Sequence, residues 1–541
     1  MSESDPESLR RPQDLREAAI AASRRGDLTA ALGFLRQAAP RDLDSVLLLG
    51  DLLRQAGELE EARAVLEMGK NLAPGSPALA FNLGGIYRAF GQIQAARREF
   101  QLVLEQQPQH SAAREALVLI AIAEGDYGAA GAIADAAPGS TSAQSELFEL
   151  ICVEAIARGD FDVALTYGRS AFERQANVGA AMTLARAEYQ ARDDASAKRR
   201  LHWILAQRDA GPELRARAIG TLADIADRCG DFQSAFQQYA ASKRELKGAY
   251  ERSGAGQPGS FHELVERLGE SVAQTPDPLL RAAHGASRDV AGHVFLLGFP
   301  RTGTTLIEQC LAGHPDVVTS DEVSALRSAV APYLNEPNPF AAFGAARDAD
   351  HDVMRRVYWG HVGRRTPSLT NKIFIDKMPF NSVFAGFIPT LFPAARIIFA
   401  IRDPRDVVFS CFRRRFGLNS ATYEFCTLEG SVRLYCAVMR LFELTRSKLS
   451  SSLTECRYED AVRDLRGTLT RLCAFIGVDW REDMMQFSER ARRRPLSTVS
   501  APQLAQGLYN GGESWRGYKE FLTPHVPDLA PWMSRFGYAV D

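Results

Sequence analysis

A turn signature recurs along the first half of the chain, at Gly26, Gly57, Gly91, Gly125, Gly159, Asp193 and Gly230. Successive intervals are 31, 34, 34, 34, 34 and 37 residues. Six of the seven turns carry alanine five positions on, at Ala31, Ala62, Ala96, Ala130, Ala164 and Ala235. Glycine also stands seven before two of the turns, at Gly50 and Gly84, and proline seventeen after them, at Pro74 and Pro108. Small residues let two helices approach closely, the turn glycine ends the first helix, and proline closes the second. Each such unit leaves an apolar face that only its neighbour can cover. Residues 15–250 are therefore expected to form an all-α solenoid, behind a flexible tail at 1–14.

Residues 251–289 break the period. Glu251–Ser260 is rich in turn formers, and this stretch is expected to link two domains, with a helix over Phe261–Ala273. A different pattern begins at 290. Val294–Leu297 is an apolar run of the kind that forms a buried parallel strand, followed by Gly298-Phe-Pro-Arg-Thr-Gly303 and an apolar-periodic helix. Strand, glycine loop and helix together make a phosphate cradle, because loop amides and the helix N-terminus converge on one point. Arg301, Thr302, Gly303, Thr304 and Thr305 would hold the anion there. A nucleotide-hydrolysing loop places lysine after the second glycine, and here that position is Thr304.

Two more strand ends carry chemistry. Ile373–Ile375 runs into Asp376-Lys377, and Ala395–Ile401 runs into Arg402-Asp-Pro-Arg-Asp406, where Pro404 opens a helix. Ligands bind at such carboxyl ends in open parallel sheets. Helices are further expected over Val323–Leu334, Asp350–Gly363 and Val383–Phe392, with a surface loop over 338–350.

Both halves resemble known families. The 34-residue unit resembles the tetratricopeptide repeat. The run Phe299–Thr305 resembles the 5′-phosphosulfate loop of sulfotransferases that use 3′-phosphoadenosine 5′-phosphosulfate (PAPS), above all the tyrosylprotein type and its repeat-bearing bacterial relatives. This resemblance spans roughly 292–518 and implies a sulfotransferase domain over 290–541, an α/β P-loop-like fold with a parallel sheet. It also implies roles. Glu322, second of an acidic pair with Asp321, matches the general base, and Lys377 the residue at the leaving group. Arg402 and Ser410 match the pair on the 3′-phosphate, while Tyr458 and Ser500 match further cofactor contacts. The register slips near Trp515 and Arg516. An arginine that grips acidic peptide in the tyrosylprotein enzymes is replaced by Ser324.

The expected activity is PAPS-dependent sulfation of a hydroxyl on a protein tyrosine, a glycan or a small molecule. The repeats would recruit that acceptor or a protein partner. No metal is expected. Because every chemical position lies beyond 290, a chain starting near 285 is expected to keep cofactor binding, provided the junction does not expose too much apolar surface. A small-molecule kinase using Mg-ATP, or a scaffold with an inert second domain, are the alternatives. A net charge of −2 gives no case for nucleic acid or an anionic membrane. No apolar run is long enough to span a bilayer, and no apolar core follows the acidic start, so a signal peptide is not expected. Eight cysteines without a Cys-x-x-Cys pair fit reduced thiols in the cytoplasm.

Overall fold

The computed structural model describes residues 11–24, 27–139, 141–254, 259–275, 290–320, 322–363, 369–449, 452–493, 507 and 513–540. The chain divides into two compact units. Met1–Ala155 with Asp162–Leu184 forms the first, and Ile156–Phe161 with Ala185–Asp541 the second.

The first unit is built of helical pairs, among them Leu43–Ala56 with Leu59–Leu72 and Pro77–Ala89 with Ile93–Gln106. The turn signature acts as its chemistry dictates. Gly57, Gly91 and Gly125 sit at φ of 83°, 71° and 80°, a left-handed conformation that glycine reaches without a Cβ clash. An aspartate after the turn caps the next helix: the Asp126 carboxylate accepts from the Ala129 amide at 2.8 Å. Ala62, Ala96, Ala130 and Ala164 are all fully buried. At Gly84 a Cβ would stand 2.7 Å from the Phe100 ring, so the paired helices touch where side chains are smallest.

The same signature continues into the second unit. Arg192, and not a glycine, takes the left-handed position at φ 66°, and Asp193 caps the helix that follows. A terminal hairpin follows, Pro212–Arg228 and Phe232–Ser253, turning at Gly230 and capped by Asp231. Its Ala223, Ala226, Ala235 and Tyr239 belong to the large apolar core that also holds strand residues of the sheet. The segment expected as a linker contains the helix Ser260–Gln274, which packs on Leu428–Arg446 and buries Phe261, Leu264, Val265, Leu268 and Val272 in that core.

Five parallel strands form the sheet: β1 (Gly292–Leu297), β2 (Val317–Ser320), β3 (Ile373–Lys377), β4 (Arg396–Ile401) and β5 (Leu453–Arg457). Their spatial order is β2-β3-β1-β4-β5. Alternate side chains serve opposite faces. Phe295 and Leu297 of β1 enter the core shared with the terminal hairpin, while Val294 and Leu296 enter a second core with Leu469, Leu472 and Ile476. The chain leaves β1 for one side of the sheet and later returns to the other, so a switch point opens at the end of β1, between β3 and β4.

Two local expectations are corrected. Val383–Phe392 is not one α-helix. A 3₁₀ helix runs from Pro379 to Phe387 and only a short α-turn follows, because Pro389 has no N–H to give Ala385. Within 338–350, Asn338 caps a short helix, Pro339–Gly344, by accepting from the Ala341 amide at 3.1 Å.

Candidate active site

Every strand of the sheet delivers one candidate residue at or just past its carboxyl end. Arg301 follows β1, Glu322 follows β2, Lys377 ends β3, Arg402 follows β4, and Tyr458 follows β5. The loop after β1 is closed from within: the Thr302 hydroxyl donates to the Phe299 carbonyl at 2.7 Å, and Ser382 donates to the Gly298 carbonyl at 2.8 Å. Arg301 adopts φ 75° and Gly303 φ 95°, after which Thr304 starts a buried helix, Thr304–Leu311. A non-glycine residue held in that region is strained and persists only where its surroundings over-determine it.

A cationic group of side chains gathers on the β4–β5 side. The Arg301 Nε donates to the Ser410 hydroxyl at 3.0 Å, which leaves the Ser410 proton available to a ligand. Arg402 donates to the Arg301 carbonyl at 3.3 Å, and its guanidinium lies 4.6 Å from the centre of the Tyr458 ring. That ring packs against Gly303, where a Cβ would collide with it. Burial, then repulsion from Arg414 and Arg402, pulls the Arg301 guanidinium down to about 9. A buried cluster of like charges is costly, and an anion at its centre would relieve it. Arg405 belongs elsewhere. It pairs with Asp403 at 2.8 Å and stacks 3.7 Å over Trp515. Arg516 pairs with Glu513 at the surface.

On the β2–β3 side a second constellation forms. The Lys377 ammonium, wholly buried, donates to the Glu322 carboxylate at 2.8 Å and lies 3.3 Å from Glu308. Burial works against its charge, but Glu308 and then Glu322 outweigh that and hold the ammonium above its usual range. Glu322 does not cap the next helix, whose N-cap position is Ser324. Its side chain is 42% exposed and faces a pocket. Asp376, next to Lys377, is pinned from behind, accepting from the Tyr358 hydroxyl at 2.9 Å and the Asn381 amide at 3.3 Å. Burial pushes its carboxyl up to about 7.

Glu308 is the functional candidate the sequence did not reveal. It lies one turn past Thr304 on the same helix, at only 1% exposure, and the apolar residues around it give no hint of its partner. A charged residue inside a run otherwise buried was the available signal. Ser500 and Asp321 lie outside the described residues. A pocket of about 250 Å³ is lined by Arg301, Thr304, Thr305 and Glu322 together with Phe380, Phe416 and Phe425. Among the described residues no group of three or more His, Cys, Asp or Glu is placed to hold a metal ion. Nor is any helix among them long and apolar enough to cross a membrane.

Residues 293–482 match the sulfotransferase family, and residues 22–84 match the tetratricopeptide repeat. The chain carries a sulfotransferase-family domain behind a tetratricopeptide array. Protein-tyrosine sulfotransferase A of Caenorhabditis elegans is 25% identical over 45% of this chain and 67% of its own length. The Drosophila melanogaster protein-tyrosine sulfotransferase is 24% identical over 45% of this chain and 51% of its own. An uncharacterized Aquifex aeolicus protein is 26% identical over 44% of this chain. The chain spans 32% of that relative and about half of the Drosophila one. Among solved structures, the sulfotransferase domain of the Synechococcus PCC 7002 olefin synthase is 22% identical, covering 44% of this chain and 91% of that one at a TM-score of 0.28.

Proposed function

We propose that the second unit transfers a sulfuryl group from PAPS to a hydroxyl acceptor by in-line displacement, with the repeats recruiting the acceptor or a protein partner. PAPS, when bound, supplies the sulfuryl group and leaves as the bisphosphate. The observation that carries the reading is the meeting of Glu322 and Lys377 at the mouth of a phosphate cradle whose lysine position is filled by Thr304.

Each residue then has a task set by its place. The loop amides of 301–305 and the helix start at Thr304 favour an anion. Arg402, Ser410 and Tyr458 form the wall suited to a second phosphate and its ribose, and the arginine fork gives planar two-point contact. Glu322 takes the proton of the acceptor hydroxyl at its exposed Oε atom. As that carboxylate becomes neutral, Lys377 loses one partner and can direct its N–H donors to charge developing at the leaving oxygen. Glu308 keeps Lys377 charged meanwhile, and Asp376 with Tyr358 fixes the strand end that carries it.

A thermal-shift comparison tests the reading. Tight binding to the native state raises the melting temperature. 3′,5′-Bisphosphoadenosine should raise it and Mg-ATP should not; a shift with Mg-ATP alone would favour the kinase alternative. Transfer should also survive EDTA.

A further inference from the structure

A second pocket, of about 420 Å³, adjoins the first, and no motif points to it. Phe416 and Gly417 line both. Its far wall comes from the terminal repeat hairpin: Glu213 and Arg217 from the first helix, Leu246 and Tyr250 from the second. The near wall is the segment after Arg414, which the hairpin holds at three consecutive arginines. Arg413 lies 3.4 Å from the Asp227 carboxylate, and the buried Lys243 ammonium donates to the Arg414 carbonyl at 2.6 Å. The Arg415 guanidinium rests on Gly220, where a Cβ would collide with it. The last repeat is thus part of the construction of this region.

Charge and polarity define what fits. Among the described residues Arg217 and Arg415 make no ion pair or side-chain hydrogen bond, so two guanidiniums without a protein partner line the cavity. Glu213, which also lines the pocket, opposes a polyanion and leaves room for one anionic group. The floor is apolar, from Leu246, Ala249, Tyr250 and Phe416, and the first pocket is walled by phenylalanines. Such walls suit an aryl or alkyl body, held beside the polar side chains of Thr304, Thr305, Asn419 and Thr422 that also line the first pocket.

We infer that the acceptor site extends through both pockets and takes an apolar hydroxy acid, its hydroxyl at Glu322 and its single anionic group, beyond Phe416, on Arg217 and Arg415. This rests on the sulfotransfer reading. Arginine forks bind a carboxylate at two points, and a charge-assisted contact of this kind exceeds its neutral counterpart.

The test is calorimetric binding to the full chain, with and without 3′,5′-bisphosphoadenosine. The probes are 4-hydroxyphenyl carboxylic acids of increasing methylene spacer and the matching primary amides. At one spacer length the acid should bind about tenfold more tightly than its amide. Arg217→Ala and Arg415→Ala should each lower that ratio, and the double variant should bring it near unity. Gly220→Val, which displaces Arg415 without removing it, should lower the ratio as well. Equal binding of acid and amide at every spacer, or a ratio untouched in the double variant, overturns the inference. The sulfotransfer reading is judged separately, by turnover with labelled PAPS. A chain that turns nothing over would sink that reading, while the binding ratio would still decide the subsite.

Discussion

The hairpin Pro77–Gln106 and the terminal hairpin Pro212–Ser253 carry the same signature and live in different surroundings. Both turn at a left-handed glycine, Gly91 and Gly230, and both bury an alanine five residues on, Ala96 and Ala235. In the first, the close-packed glycine, Gly84, meets Phe100 of its own partner helix. In the second, Gly220 meets Arg415 of the sulfotransferase segment, Phe236 stacks on Phe521 at 3.9 Å, and Tyr518 donates to Asp227. A repeat signature encodes how a hairpin closes. It does not encode what the hairpin closes upon, so the last unit of an array can serve as a wall of the domain after it.

Removing the terminal hairpin should have the largest effect. A chain starting at Val290 would expose the faces that meet Tyr239, Phe236 and the helix Ser260–Gln274, so it should be insoluble or fail to bind 3′,5′-bisphosphoadenosine. A chain starting at Ala185 should fold and bind. The expectation from the sequence that residues beyond about 285 suffice was conditional on a junction exposing little apolar surface, and the hairpin and helix residues in the shared core bear on that condition. Calorimetry on both truncations decides it; equal affinity in the shorter chain would make the hairpin a mere neighbour.

A smaller effect is expected inside the site. Glu308→Gln leaves the buried Lys377 with Glu322 as its remaining carboxylate, at a cost of up to about 3 kcal/mol, the low end for breaking a buried pair. The ammonium, now held above its usual range, should drop. Activity that needs the charged lysine is lost as pH rises through its pKa, so the alkaline limb of kcat against pH should move to lower pH. A fall in melting temperature with an unmoved limb would reduce Glu308 to a structural counter-ion.

The smallest effect belongs to the first unit. Gly84→Ala places a Cβ 2.7 Å from the Phe100 ring. Overpacking costs about 1–3 kcal/mol and the better helix former returns about 1, leaving a net loss of about 1 kcal/mol. Denaturant unfolding should show that loss with bisphosphoadenosine affinity unchanged. Lost affinity would mean that the first hairpin also supports the site.

Much of this was legible from residues alone. Glycine at a turn and alanine five positions after it each have a local cause, and the hairpins follow. Arg301, Lys377 and Arg402 were legible because strand ends in a parallel sheet converge on one edge. Glu308 was not, since its partner stands 69 positions away and only the β1–β3 pairing brings Lys377 opposite its helix. Arg192 was hidden for a different reason: its left-handed turn is made without the glycine that marks the others. The second pocket was hidden too, because Arg217 and Arg415 acquire a common meaning only when the terminal hairpin packs on the helices Pro404–Arg413 and Thr422–Cys426.

On the proposed reading, Glu322 removes the acceptor proton at a phosphosulfate site. Single-turnover transfer from labelled PAPS by Glu322→Gln, set beside 3′,5′-bisphosphoadenosine affinity, tests it most directly. General-base removal costs about 10²–10⁴-fold in rate, and the cradle and Arg402 are untouched, so kcat should collapse while affinity holds. Near-normal transfer by this variant would rule out Glu322 and place the base elsewhere.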